Sequence, residues 1–423
     1  YKLYNIFMIN YIQALKVIKK AKIKILDEYI KSTDSLNRIS SNNIYSNTDQ
    51  PKTDNSSFDG FAINSKDTKY LNKKHSQLFS IIGSIAAGDK PPKKKLKKFQ
   101  TVEIMTGGLL PKGFNSIIPI EQVVFIPNKS KPKFIQISKK IKKNENVRKR
   151  GSDFKKRKMI IKKGTLIQSN HILAFKSLGI EKIKVKKKPN ILFFSSGNEI
   201  TNKSNILDWQ VRNSNNHYLR SLQKNFLFDI KDGGILKDSQ ENFFQNQIKK
   251  MINSKFDLII TSGAVSAGKF DFIPNIIKKF KLSAYFKNVA IRPGKPILFG
   301  KFLKKDKAIF GLPGNPISSA ACFRFFVYPF LLNSLGLKIE KPIKAKLKKG
   351  FYKKKLFTRF VKSKLNTTQN GKIQVEILRG QESYKIEPLV NSNSWSILPS
   401  GKSKFKKGDI LDCFFLNEAN KNF

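Results

Sequence analysis

The stretch from Pro189 to Leu335, where short apolar runs alternate with amphipathic runs of helix length, constrains this chain more than any other feature. Ile191 to Phe194, Asp229 to Ile235, Leu258 to Ile260, Tyr285 to Ala290, Ile297 to Phe299 and Ala308 to Phe310 read as strands. Between and after them the periodicity predicts helices over Asn215 to Asn225, Gln240 to Ile252, Phe272 to Lys279 and Ser318 to Leu335. Strands covered on both faces read as unbroken apolar runs, so the alternation predicts a doubly wound parallel α/β sheet. Sheets of this kind bind ligands outside the carboxyl ends of their strands. The loops at those ends are therefore the first place to seek function.

Those loops carry chemistry. Phe194 is followed by Ser195-Ser-Gly-Asn-Glu199 and Ile235 by Lys237-Asp238; Ile260 leads into Thr261-Ser-Gly-Ala-Val-Ser-Ala-Gly-Lys-Phe-Asp271. Ala290 leads into Ile291-Arg-Pro-Gly-Lys-Pro296, and Phe310 into Gly311-Leu-Pro-Gly-Asn-Pro-Ile-Ser-Ser319. Glycines let backbone N–H groups approach a phosphate, the following helices aim positive dipole ends at the same anion, and Arg292 and Lys295 neutralise it. Glu199, Asp238 and Asp271 follow neighbouring strands, where they are expected to share a divalent cation. Magnesium suits such a site, since it takes oxygen ligands beside substrate phosphates, and carboxylates held close repel without one. Taken singly each piece has a structural reading: a glycine turn, a rigid Pro-Gly-Asn-Pro link, or, for Asp59 and Asp153 beside glycine, a turn cap. Joint occurrence on consecutive strand ends favours a site.

The remainder divides into three further units. Residues 8–50 with 149–187 form a mixed unit, with a helix expected from Ser169 to Leu178 that stops at Gly179. Pro51 to Ala62 reads as a loop. Residues 51–148 form a β-rich insertion with strands at Leu78 to Ile82, Val102 to Met105, Ile117 to Pro119, Val123 to Ile126 and Phe134 to Ile137. The α/β unit occupies 188–337, and 338–423 reads as a small barrel-like β domain ending in Asp409 to Phe415.

Lys+Arg number 83 against 29 Asp+Glu, a formal net charge of +54 that suggests an anionic partner. The excess is mostly lysine and arrives with abundant Asn, Ile and Phe, whose codons are rich in A and T, so genome bias accounts for it equally well. Basic runs at Lys93 to Lys98, Lys139 to Lys143 and Lys184 to Lys188 read as solvated loops, and no zinc-finger spacing or aromatic platform marks a nucleic-acid reader. Cys322 and Cys413 stand apart without CxxC or Cys/His clustering, which supports neither a disulfide framework nor a structural zinc site and fits the cytoplasm. His75, His171 and His217 are scattered and show no triad or ligand spacing. Apolar runs fall far below the ~20 residues of a membrane span, so neither a span nor a secretory leader is expected.

Asp54-Asn-Ser-Ser-Phe-Asp-Gly-Phe-Ala62, Glu103-Ile-Met-Thr-Gly-Gly108, Arg150-Gly-Ser-Asp153 and the strand-end loops resemble, in order and nearly end to end, one family's motifs. These are the DNSAMDGYA, IMTGA, RGED, STGDEL, SSGGVSxGxxD, IKPGKP and GLPGNPxS segments of the molybdopterin molybdenumtransferases, the family of bacterial MoeA and of the corresponding domains of gephyrin and the plant enzyme. The resemblance implies an elongated four-domain homodimer that loads molybdate into adenylylated molybdopterin and releases AMP with help from a divalent metal. Its cleft lies between the α/β domain of one subunit and the first two domains of the other, so Asp59 and Asp153 act in trans. Catalytic roles then fall to Asp59, Asp153, Glu199, Asp238, Asp271 and Lys295, with Glu199, Asp238 and Asp271 holding the metal. Substrate contacts fall to Ser196, Gly197, Ser262, Gly263, Ser266, Gly268, Arg292, Pro296, Pro313, Gly314, Asn315, Pro316, Ser318 and Arg359. Arg292, Lys295 and Pro296 form the molybdate pocket, with Arg359 and either Ser392 or Ser394 reaching in from the last domain. A molybdopterin adenylyltransferase is the expected protein partner. Asn198, Asn213, Ala264 and Arg292 depart from the family pattern. Two rivals remain: an adenylyltransferase, whose single domain resembles residues 189–335, and a polyanion-binding scaffold that kept the fold without the chemistry.

Overall fold

The computed structural model describes residues 8–90, 97–223, 227–237, 239–263 and 279–416. At its centre lies a six-stranded sheet in the order Asp229–Leu236, Asn190–Ser196, Leu258–Ser262, Ala308–Leu312, Leu298–Phe302, Leu282–Lys287. The first four strands are parallel. Leu298–Phe302 runs against both of its neighbours, because the short turn that follows it, with Lys304 at φ 59°, returns the chain directly into Ala308–Leu312. Successive side chains point to opposite faces of a strand. Accordingly Phe193, Ile260 and Phe310 enter one apolar core, while Phe194, Ile259 and Ile309 enter the other.

Helices Ser214–Leu222 and Glu241–Ile252 cover opposite faces through Leu219 and Leu222 on one side and Phe244, Ile248 and Met251 on the other. The edge strand is displaced from the expected Tyr285 to Ala290 and ends before Asn288, whose φ of 61° turns the chain out of the sheet. The helix expected over Phe272 to Lys279 falls almost wholly outside the described residues. The expected Ser318 to Leu335 helix is Pro316–Cys322 and Tyr328–Ser334 joined by a π turn, Phe323–Val327. It is buried almost all round, and Arg324 in the π turn is neutralised by Glu340 at 2.5 Å while its Nε donates to the Phe415 carbonyl at 2.8 Å.

The first helix, Tyr11–Lys20, is closed at its start by reciprocal bonds between Asn10 and Gln13. Its buried residues, Tyr11, Ala14 and Ile18, join the α/β core. Tyr11 meets Phe325 and Phe326 edge-on and also Phe360 of the last domain, so one side chain packs against two units. Beyond it, Asp27–Lys31 pairs with Lys182–Lys186, Ile44–Tyr45 with Met159–Ile161, and helix Ser169–Ser177 stops where Gly179 takes φ 70°. Ile167, Phe175, Leu178 and Val185 fill this unit's own core.

The β-rich unit is a six-stranded sheet: Ser116–Pro119, Gly60–Ile63, Gln100–Ile104, Gln77–Ile85, Phe134–Ile137, Val124–Ile126. The loop reading of Pro51 to Ala62 is corrected at its end, since Gly60–Ile63 is an interior strand with Phe61 and Ile63 in one core and Ala62 in the other. Gly60 is required there, because a Cβ would lie 2.0 Å from the Ile118 carbonyl oxygen of the next strand. The last unit closes on itself: Thr358–Thr367 pairs with both Ile373–Ile377 and Ser394–Leu398, completing a five-stranded barrel with Ile343–Leu347 and Ile410–Phe415.

Candidate active site at the strand ends

Three strand-end loops converge. A Cβ on Gly263, at φ 100°, would sit 2.2 Å from the Ser196 carbonyl oxygen, so this glycine permits close contact between two loops. A Cβ on Gly197 would meet the Glu199 carboxylate at 2.4 Å, which places that carboxylate over the glycine. The expectation that these glycines offer amides to phosphate is corrected for both. Gly197 N donates to Leu236 O and Gly263 N to Leu312 O, each at a neighbouring strand end.

Polar side chains line the floor. Asn215 Nδ2 donates to Ser262 Oγ at 2.6 Å and to Gly314 O at 2.7 Å, and Ser262 Oγ donates to Pro313 O at 3.2 Å. Ser318 is buried in the helix that leaves this loop, behind exposed Gly314 and Asn315 and partly covered Pro316. Ser195 Oγ donates to Asn213 Oδ1 at 2.5 Å, while Asn213 Nδ2 donates to Asn202 Oδ1 at 2.9 Å. A carboxylate at 213 could not make that second bond, since it has no donor; the family departure thus fits its own surroundings. Lys237 Nζ donates to the carbonyls of Gly197, Asn198 and Ile200 at 3.4, 2.9 and 3.0 Å.

Among the described residues the buried hydroxyls of Ser196 and Thr261 have no hydrogen-bond partner, and the Glu199 side chain is exposed over Gly197. Oxygen ligands of the kind magnesium prefers are therefore present at two neighbouring strand ends. Asp238, Asp271, Ser266, Gly268 and Ala264 lie outside the described residues. Among the described ones no three His, Cys, Asp or Glu side chains form a cluster.

Beside these loops the α/β unit meets the barrel. Ile291–Arg292 pairs in parallel with Thr358–Thr367, which sets Arg292 opposite Arg359. Arg292 and Lys295 are exposed, Pro296 is partly covered, and Arg359 lies 5.7 Å over the Phe351 ring. Burial, then the charge of Arg292, depress the Arg359 guanidinium, with Glu382 opposing. Lys353, itself held down by burial and by Arg359, donates to Phe357 O at 2.9 Å. Lys362 Nζ is buried among the carbonyls of Gly380, Glu382 and Lys385 at 2.8, 3.2 and 3.1 Å. Asn315 Nδ2 reaches Ser383 Oγ of that same loop at 3.4 Å. Arg292, Lys295 and Arg359 make no ion pair with a described residue, and cations in excess over the one nearby carboxylate, Glu382, suit an incoming anion. Ser394 is sealed inside the barrel against Ser363, so its expected reach into the pocket is corrected; the Ser392 hydroxyl is committed to Leu389 O.

The remaining two expected residues are elsewhere. Asp59 is exposed, and the Thr106 amide and then its hydroxyl, at 2.6 and 2.8 Å, hold its carboxyl below the ordinary range. Asp153 is exposed in a loop whose backbone is anchored by its own amide to Gln50 O. Asp49 and Asp54 build that loop: Asp49 accepts from the Lys156 amide and Arg150 Nε, Asp54 from Lys149 Nζ and the Arg150 amide. The described contacts of Asp59 and Asp153 do not touch the strand-end loops.

The MoeA N-terminal region (domain I and II) matches residues 9–179, a probable molybdopterin binding domain 193–333, and the MoeA C-terminal region (domain IV) 344–416. The chain is 31% identical over 413 residues to a molybdopterin molybdenumtransferase of Staphylococcus epidermidis, covering 96% of this chain and 95% of that one. This chain belongs to the molybdopterin molybdenumtransferase family. A Staphylococcus aureus protein of the same name is 32% identical over 382 residues, 89% of this chain and 88% of the relative. The crystal structure of a molybdopterin biosynthesis MoeA protein from Pyrococcus horikosii superposes with a TM-score of 0.81 at 26% identity, covering 97% and 100% of the two chains. Within this molybdenumtransferase fold, sequence reasoning assigned no role to Asp49, Asp54, Asn215 or Lys362, and placed Lys237 in a strand-end loop without giving it one. Asn215 carried a signal in the run Asn213-Ser-Asn-Asn216 at a helix start, and Lys237 carried one in its place after a strand.

Proposed function

We propose that this chain inserts molybdate into adenylylated molybdopterin with release of AMP. The observation that carries this reading is the pairing of Arg292 with Arg359 beside hydroxyl- and amide-lined strand ends. A tetrahedral dianion suits the arginine side, and a phosphate-linked pterin suits the other. Arg292, Lys295 and Arg359 bind the oxyanion, and Asn215, Ser196 and Ser262 orient the nucleotide-linked substrate. Rate gain comes from holding two anions together and offsetting their repulsion. Glu199, with Asp238 and Asp271, would hold magnesium, which supplies further screening of the phosphoanhydride. Asp59 and Asp153 complete the cleft from the second subunit of a homodimer. A molybdopterin adenylyltransferase upstream, and the cytoplasm as the place of action, complete the proposal. Both described cysteines are free and buried, and no helix among the described residues is long and apolar enough to cross a membrane.

Incubation with molybdopterin-AMP, molybdate and magnesium tests the reading. AMP should appear, and Asp271→Ala should lower its rate by about 100-fold or more. Consumption of ATP and molybdopterin instead would identify an adenylyltransferase, and AMP release untouched by Asp271→Ala would remove the carboxylate mechanism.

A further inference from the structure

Three backbone carbonyl oxygens from one turn converge on a single point. Carbonyl dipoles aimed together repel, and a cation is the natural occupant. Here the cation is the ammonium of Lys237, at 3.4 Å from Gly197 O, 2.9 Å from Asn198 O and 3.0 Å from Ile200 O. An ammonium has three donors and no acceptor, so it matches three carbonyls fully. The other end of this lysine is also fixed, its own amide donating to Gln240 Oε1 at 2.9 Å. Within the turn, the Glu199 carbonyl alone points elsewhere, accepting from Val211 N at 2.8 Å, and the Glu199 carboxylate lies over Gly197.

We propose that Lys237 is a positioning residue: its ammonium stands where a bound monovalent cation would stand, and it holds the turn that presents Glu199. This rests on the reading that Glu199 serves molybdenum insertion. It requires no change in the chemistry, only that the turn loses its set geometry when the three carbonyls lose their cation.

A readout independent of catalysis is built in. Trp209 is exposed at 62%, two residues from the Val211 that bonds Glu199, whereas Trp395, the other tryptophan of the two in the chain, is buried. Its emission anisotropy, taken as the difference from Trp209→Phe, reports the order of this segment. Lys237→Ala should lower kcat for AMP release by about 10-fold or more with the molybdate KM unchanged, and should lower the Trp209 anisotropy. Ethylammonium, sized to the vacated space, should restore both better than tetramethylammonium at equal ionic strength. Unchanged kcat and anisotropy in Lys237→Ala would overturn the proposal. So would a loss that ethylammonium does not restore and that Lys237→Arg shares. If near-ultraviolet circular dichroism shows Lys237→Ala unfolded, the comparison passes to Lys237→Arg and Lys237→Met, of which only the first should keep the anisotropy. Wild-type protein that released no AMP would end the functional reading, while the anisotropy series would still decide the role of Lys237.

Discussion

Lys362 and Lys237 place ammonium groups where carbonyl oxygens gather, yet they differ in burial. Lys362 is 1% exposed, and burial is the main reason it titrates at about 8 and not at its ordinary 10.5. Glu382 opposes the shift, while Arg359 and Lys385 add to it. Between those two values the unfolded chain holds a proton that the folded chain has released, so this group's contribution to stability rises with pH across the window. Measured by urea unfolding, wild type should gain on the order of 2 kcal/mol relative to Lys362→Met between about pH 7.5 and about pH 10. A gap that stays constant would show that the ammonium is as well accommodated inside as in water. The carbonyl partners of neither lysine could be found from sequence, although Lys237 was placed after a strand. Both are single members of a population of 83 basic residues, and only the fold decides which of them meet carbonyls.

At the scale of elements, what was legible followed from local pattern. Apolar runs located the strands that bury both faces, and Gly179 marked a helix end through the backbone angle it adopts. Gly60–Ile63 was misread because Asp59-Gly60 carries a turn signal that its neighbours across the sheet override. The reversed direction of Leu298–Phe302, the closure of the barrel and the register of Arg292 with Arg359 depend on partners distant in sequence, so no local signal encodes them. The expected carboxylate trio followed from consecutive strand ends, and of its members the described residues include Glu199 alone. The π turn is a similar case. It carries Arg324, 8% exposed in its side chain, against Glu340 and amid Tyr328 and Phe414. Arg324→Met should cost about 2–3 kcal/mol, below the figure for a fully buried pair because Glu340 keeps some access to water. The check is a lower urea midpoint with an unchanged slope.

At the scale of the whole molecule, the expected sites fall into two groups whose described contacts do not meet within one chain, which is why completion by a second subunit is the proposal that uses them all. Mixing Asp59→Asn protein with Glu199→Gln protein tests it. Each variant alone should be nearly inactive, and exchange of subunits should restore about a quarter of wild-type activity, since half the dimers are mixed and each mixed dimer has one intact cleft. No recovery after verified exchange would place Asp59 in the same cleft as Glu199 of its own chain, or in none. Asn55–Ser56 pairs antiparallel with Val147–Arg148, so the chain enters and leaves the β-rich unit side by side. The cores of that unit share no residue with the α/β core, to which Tyr11 and Phe360 both belong. A swing of the Asp59-bearing lobe about that two-stranded neck would leave each of these cores intact and carry its aspartate toward or away from whatever faces it.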